Sequence, residues 1–219
     1  KVMRSNFKNL QLIHRGLAKK KFKENSLQAF RYCFKKNYGI ETDLHATHDN
    51  EIICFHDFNL KKFKSSKLIK NLDYKEIKII AEKFNVYIPK LSDLIKIPKK
   101  KFIMLEIKPN FSKKNLINLI KQTKKLKNFC ITSFNEKNIQ NIYKINKNLN
   151  LGIVFSSNSS IKKIIKKSKL KYLKILVLEK KFINNKTINN LNKSLYFYTI
   201  KDKGLRNNHS NKNLIFENL

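Results

Sequence analysis

Acidic residues are scarce in this chain of 219 residues, with 15 Asp and Glu against 49 Lys and Arg and a formal charge of +34. Such an excess ordinarily points to an anionic partner: nucleic acid, an anionic membrane face or a phosphorylated substrate. Lys, Asn and Ile nevertheless recur together along the whole length, as A/T-rich coding produces, so most of the charge reads as solvated surface lysine. Cysteine is scarce too. Cys33, Cys54 and Cys130 are odd in number, far apart and free of any C-x-x-C pair, which argues against a disulfide framework and a zinc site. No apolar run approaches the roughly 18 residues that span a bilayer, and the opening residues 1–16 lack the apolar stretch of a secretory signal. The expectation is a cytoplasmic protein, with a removed leader left open because the sequence starts at Lys1. With 4 glycines and 3 prolines there is no linker-like segment, and the length suits one domain over 1–219 that buries about 70% of its unfolded surface.

What is present is a regular alternation of short β-type runs and helical patterns, the signature of repeated βα units. The runs are LQLIH, GIETDLHAT, KFIMLEIK, FCITSF, LGIVFS, YLKILVLE, LYFYTI and NLIFEN. Helical periodicity covers SLQAFRYCFKK, capped by Ser26 or Asn25, and then Lys113 to Lys125, Glu136 to Lys147, Ser160 to Lys167 and Ile183 to Asn192. Eight such units predict a (β/α)8 TIM barrel. Two irregularities stand out. Residues 50–100 form a short insertion between strands two and three, with a hairpin-like EIICFHD and a helix over Tyr74–Lys83 whose Asp73 and Glu76 make a capping box. After strand eight the sequence stops at Leu219, so the eighth helix is expected to be missing.

One stretch breaks the basic background. Gly39 to Asp57 contains no Lys or Arg, where about four are expected, and it holds Glu41, Asp43, Asp49, Glu51 and Asp57 together with His45, His48 and His56. Residues two apart on a strand share a face, so Glu41 and Asp43 point together, as do Glu106 and Lys108. Carboxylates converging at the C-terminal mouth of a barrel repel unless a cation lies between them, and all-oxygen ligation suits Mg2+ or Ca2+. His14 at the exit of strand one and His56 beyond the hairpin can serve as base and acid on a phosphate. Arg15 and Lys108 supply fixed positive charge to its oxygens. Gly16, one of few glycines, suggests a backbone conformation that other residues resist.

The ordered set H-R-G (His14–Gly16), KENSLQAF, GIETDLHATHDNEIICFHD, PKLSDL, LEIKP and ITSFN resembles the glycerophosphodiester phosphodiesterases, from about Leu12 to Ile200. The resemblance implies a (β/α)8 barrel, one divalent cation, and hydrolysis of glycerophosphodiesters to glycerol 3-phosphate and an alcohol in glycerophospholipid breakdown. It puts the metal ligands on Glu41, Asp43 and Glu106, the catalytic histidines on His14 and His56, and phosphate binding on Arg15 and Lys108. Glu24, Phe134 and Tyr198 are candidates for the substrate pocket. Two departures concern the far side of the site: YTIK places Tyr198 and Lys201 where the family commonly has an aromatic and an Asn, and FENL (Phe216–Leu219) replaces T-D-x-P. His45 and His48 match nothing essential and read as surface or supporting residues.

Two rival readings belong to other classes. A sphingomyelinase D-like phospholipase would share the histidines and metal but stop at a cyclic phosphate; such enzymes are typically secreted and disulfide-bonded, which the unpaired cysteines oppose. A non-enzymatic module binding anionic lipid or nucleic acid is what the charge alone suggests. SSIKKIIKKSKLKYLK has an apolar face opposite lysines, as a peripheral membrane helix would. An outer barrel helix has the same pattern, and no nucleic-acid-binding motif accompanies it. The expected partner is therefore a small-molecule glycerophosphodiester, with no specific nucleic acid and at most peripheral membrane association. Oligomeric state is left open.

Overall fold

Residues 10–108 and 111–219 are described by a computed structural model; the first part of the segment read for a leader, 1–9, and Pro109 of LEIKP lie outside the described residues. The chain runs β1 (Gln11–His14), α1 (Leu27–Lys35), β2 (Gly39–Ala46), β3 (Ile52–Cys54), α2 (Tyr74–Glu82), α3 (Leu91–Lys96), β4 (Ile103–Ile107), α4 (Lys113–Thr123) and β5 (Phe129–Ser133). It continues through α5 (Glu136–Ile145), β6 (Leu151–Phe155), α6 (Ile161–Ser168), β7 (Ile175–Glu179), α7 (Lys186–Asn189), β8 (Ser194–Ile200), α8 (Lys203–Asn208) and β9 (Asn213–Phe216). Eight strands pair in parallel in the order β1-β9-β8-β7-β6-β5-β4-β2, and β1 closes on β2. This is a TIM barrel, with β3 added antiparallel to β2 outside the ring.

The strands alternate between two environments, as their two-residue period requires. Ile13, Ile40, Leu44, Leu105 and Ile131 face outward and pack with helix residues such as Phe30, Leu116 and Ile139. Leu12, Met104, Val177, Tyr196 and Ile215 face inward and fill the lower barrel with Phe102, Cys130, Val154 and Ile175. Each such buried side chain contributes about 1.5–3 kcal/mol. Two residues further along the same inward face stand His14, Glu106, Tyr198 and Glu217. The apolar layer is thus the floor on which the polar mouth is built.

Local chemistry explains the element boundaries. Ser26 caps α1 by accepting from the Ala29 N–H at 3.3 Å, which frees Asn25 for another role. The capping box on α2 is formed by Asp73 and Glu76. Under the insertion, Ile53, Phe55, Leu60, Phe63, Ile69, Leu72 and Ile77 make a small core of their own.

Three helices depart from the sequence reading. The helix expected over Ile183–Asn192 is a 3-10 turn at Lys180–Phe182 followed by the single turn α7, because Asn185 restarts the helix by accepting from the Ile188 N–H. Asn-rich segments favour such local caps over helix interiors. Helix α3, started by Asp93 accepting from the Lys90 N–H, and α8, capped by Asp202, are too short to leave a periodic signal. Among the described residues no helix follows β9, and no helix is long and apolar enough to cross a membrane. Cys33, Cys54 and Cys130 are buried and free. In α6, Ile164 is buried against the barrel while Ile161 is 39% exposed, the pattern of an outer helix.

Candidate active site

The turn after β1 is tight. Arg15 and Gly16 both have positive φ, +50° and +73°, and a Cβ on Gly16 would lie 2.9 Å from the Phe30 ring. This left-handed pair swings the chain so that the Arg15 N–H donates to Glu41 Oε2 at 3.2 Å, while its guanidinium reaches Asp43. Strand register does the rest. His14 lies beside Glu41 across β1–β2, and Asp43 beside Glu106 across β2–β4.

Glu41, Asp43 and Glu106 are buried and each offers an oxygen within 4.8 Å of the others. Glu41 Oε1 is buried without a hydrogen-bond donor. Burial, with Asp43 and Glu106 close by, pushes the Glu41 carboxyl well above the usual carboxylate range. Glu106 is raised by burial and by Asp43, against the pull of Lys108. Asp43 goes the other way: burial is outweighed by Lys108, Arg15 and the Asn25 hydrogen bond, which hold it below the ordinary value. Three hard oxygen donors with an unsatisfied buried atom fit a divalent cation. Meanwhile Arg15 Nε sits 3.1 Å from Asp43 Oδ2, and Lys108 Nζ lies 3.2 Å from Asp43 Oδ1 and 2.7 Å from Glu106 Oε1.

Both histidines are tethered through the same ring atom. His14 Nδ1 lies 2.8 Å from Glu217 Oε1, and His56 Nδ1 lies 2.8 Å from Asp57 Oδ1. A carboxylate on Nδ1 fixes a neutral imidazole as the Nδ1–H tautomer and leaves the lone pair on Nε2. Burial, more than its charged neighbours, lowers the pKa of His56. The hydrogen bond from His14, together with its charge and that of Lys201, holds Glu217 below the ordinary range despite burial.

A cavity of about 200 Å³ brings together His14, Arg15, Glu41, Asp43, His56, Glu106, Lys108, Phe134 and Tyr198. Of the candidate catalytic, metal, phosphate-binding and pocket residues, Glu24 is the one not on this wall. It stands behind Arg15, accepting from its Nη1 at 2.7 Å and from Lys62 Nζ at 3.0 Å, and these contacts hold its pKa at about 2 despite burial. Tyr198 donates to the Phe155 carbonyl at 3.0 Å and meets the Phe134 ring edge-on at 6.5 Å. His48 is on the surface, paired with Asp73 at 2.9 Å. His45 is not: it is buried, its Nε2 lies 3.1 Å from the His56 carbonyl, and burial lowers its pKa to about 4.

Glu217 was missed by sequence reasoning, and Asn25, which matches the family's Glu24–Asn25 pair, was equally explained there as a helix cap. Glu217 stands at the second place of FENL, read there only as a departure, and its carboxylate is the partner of His14. Asn25, with φ +54°, donates to Asp43 Oδ2 at 3.0 Å and accepts from Thr42 Oγ1 at 2.7 Å, which orients the metal-ligand candidate rather than a helix end. The available signals were an acid following a strand and an Asn one residue before a Ser that could cap.

Residues 14–181 match the sequence model of the glycerophosphoryl diester phosphodiesterase family. The fold is shared with a glycerophosphodiester phosphodiesterase from Thermotoga maritima, 19% identical with a TM-score of 0.78 over 94% of this chain and 93% of that one. It is shared too with an Oleispira antarctica phosphodiesterase solved with its product sn-glycerol-3-phosphate, 17% identical, TM-score 0.80, covering 95% and 92%. A putative glycerophosphoryl diester phosphodiesterase from Agrobacterium tumefaciens is 14% identical with a TM-score of 0.81 over 95% and 92%. No curated protein sequence matches.

Proposed function

The chain belongs to the glycerophosphoryl diester phosphodiesterase family, and on that premise we propose that it hydrolyses glycerophosphodiesters to glycerol 3-phosphate and an alcohol, with His14 and His56 moving the protons. Glu41, Asp43 and Glu106 would hold the cation. Bound there, Mg2+ or Ca2+ supplies positive charge to the phosphoryl oxygens. Arg15 and Lys108, now spent on carboxylates, are in reach of the same oxygens, and their charge stabilises the crowded, more negative phosphorus centre of the transition state. One imidazole Nε2 accepts the proton of a glycerol hydroxyl as its oxygen attacks phosphorus. The other donates a proton to the departing alcohol oxygen. The resulting cyclic phosphate is opened by water with the two roles exchanged.

The observation that carries this reading is the pair of tethered imidazoles beside a buried three-carboxylate cluster in one cavity. A solvated surface or a lipid-binding face has no use for that arrangement. The test is an assay of glycerol 3-phosphate release from glycerophosphodiesters, with and without chelator, for wild type, His14→Ala and His56→Ala. Each alanine variant is expected to lose about 10²–10⁴-fold in kcat, and chelator is expected to stop turnover. Undiminished release in chelator or in either variant refutes the roles, and a cyclic product without glycerol 3-phosphate points to the phospholipase rival.

A further inference from the structure

Next to the catalytic cavity lies a larger one of about 690 Å³, and Lys108 belongs to the walls of both. Its far side is built by the insertion, through Phe58, Leu68 and Lys70, and its near side by His45, Asn115 and Asn135. His45 also contacts the His56 carbonyl, which ties this wall to the candidate catalytic histidine. No Asp or Glu among the described residues lines it; Asp73 is engaged by His48 and is not on the wall. Lys70 is exposed and has no ion-pair partner among the described residues.

The chemistry of this wall discriminates between alcohols. A quaternary or primary ammonium is recognised by a carboxylate or by several aromatic faces. Here one phenyl ring, Phe58, lines the space, and it packs edge-on against His45 at 5.2 Å. The neighbouring Phe134 face is covered by Lys108 Nζ at 5.7 Å. Against that, the wall carries the neutral polar side chains of Thr47, Asn50, Ser112, Asn115 and Asn135, some of them already bonded within the chain, as Thr47 Oγ1 is to Asp49 and Ser112 Oγ to the Asn115 N–H. A neutral hydroxyl can exchange hydrogen bonds with polar groups of this kind, whereas an ammonium finds no carboxylate to pair with.

We propose that this cavity receives the alcohol portion of the substrate and selects an uncharged polyol, such as glycerol or inositol, over choline or ethanolamine. The proposal rests on the hydrolase reading above and names its substrate class. Lys70 repels a cationic alcohol and leaves a neutral one unaffected, while the polar wall exchanges hydrogen bonds with the polyol hydroxyls. At a separation of about 7 Å and an effective dielectric constant of about 40, one such repulsion amounts to roughly tenfold.

The experiment compares kcat/KM for glycerophosphoglycerol, glycerophosphoinositol and glycerophosphocholine at low ionic strength with Mg2+ or Ca2+, in wild type, Lys70→Glu and Lys70→Gln. Wild type is expected to favour the polyol substrates by about tenfold or more, with the preference shrinking in salt. Lys70→Gln, which removes the repulsion, is expected to reduce the preference by about tenfold, and Lys70→Glu, which turns it into an attraction, to invert the preference; the neutral variant keeps the test intact should the charge reversal fail to fold. Equal or faster turnover of glycerophosphocholine by wild type overturns the proposal. So does a variant that slows all three substrates by one factor, since that would place the shared glycerol end in the cavity. Turnover of none of the three, with metal present, overturns the hydrolase reading itself and this proposal with it.

Discussion

Replacing Glu41 by Gln should make the metal-free protein more stable while removing its response to metal. The three carboxylates offer oxygens within 4.8 Å of one another, and at an effective dielectric constant of about 20 each like-charged pair at that distance repels by roughly 3.5 kcal/mol. Glu41 takes part in two such pairs. Arg15 and Lys108 offset much of this through Asp43 and Glu106, so the net relief is about 1–2 kcal/mol, the usual gain when a functional-site conflict is removed. The Gln oxygen can keep the hydrogen bond from the Arg15 N–H, while its amide nitrogen turns donors toward the remaining carboxylates. For a chain of this size the gain corresponds to a rise in Tm of about 2–8 °C, read by thermal unfolding in chelator. With Mg2+ or Ca2+ the order should reverse: wild type gains about 2.7 kcal/mol at a hundredfold excess over Kd, and Glu41→Gln gains far less. A variant less stable than wild type in chelator, or one that gains equally from the metal, would refute the argument from repulsion.

Two other outcomes follow from side chains behind the reacting groups. Glu217→Gln keeps the shape but removes the charge from His14 Nδ1, and loss of a charge-assisted hydrogen bond of about 1.5–3 kcal/mol should lower kcat about 10–100-fold with little change in KM; an unchanged kcat would show that Glu217 does not orient the imidazole. Glu24, lowered from 4.5 to about 2 by Arg15 and Lys62, stabilises the fold above pH 4.5, and that contribution is lost as pH falls through about 2. With a side chain 29% exposed, it should be worth about 1–2 kcal/mol after allowance for solvent. Denaturant unfolding of wild type and Glu24→Gln should therefore differ by that amount at pH 6 and converge as pH falls toward 2, and a difference independent of pH would contradict the ion-pair origin.

The parts of this molecule that were legible in the sequence are those written in a local period. Inward and outward alternation in GIETDLHA and FIMLEIK identifies both the strands and the shared face of Glu41, Asp43, Glu106 and Lys108, since a two-residue repeat and a common side are one geometric fact. Parallel register then converts that fact into proximity, placing Asp43 beside Glu106. Glu217 was not legible in this way. Its meeting with His14 spans 203 residues and depends on β9 closing against β1, which no local pattern announces. Asn25 was hidden for a different reason. Asn and Ser are both good helix caps, and only the left-handed backbone at Asn25 shows that Ser26 took the cap while Asn25 turned to Asp43. For His45 the sequence left surface and supporting places both open, because alternation puts it on the mouth side of β2 and the insertion that buries it beside the His56 carbonyl arrives from later in the sequence.

The charge of the chain poses a last question: how a molecule at +34 would hold a divalent cation at all. Surface lysines act through water, where salt screens them beyond a Debye length of about 8–10 Å, whereas the buried carboxylates act on an ion between them at contact distance and in a less polar medium. The nearby positive charges that matter are Arg15 and Lys108, and both already lie on the carboxylates. Because Lys108 already pairs with Asp43 and Glu106, it would have to give way for those carboxylates to hold a cation. Displaced toward the cavity, the Lys108 ammonium would be released to the phosphate that the metal also attracts. On the proposed function the same side chain would neutralise the carboxylates before binding and the substrate after it, and the basic surface would be free to draw anionic diesters toward the mouth.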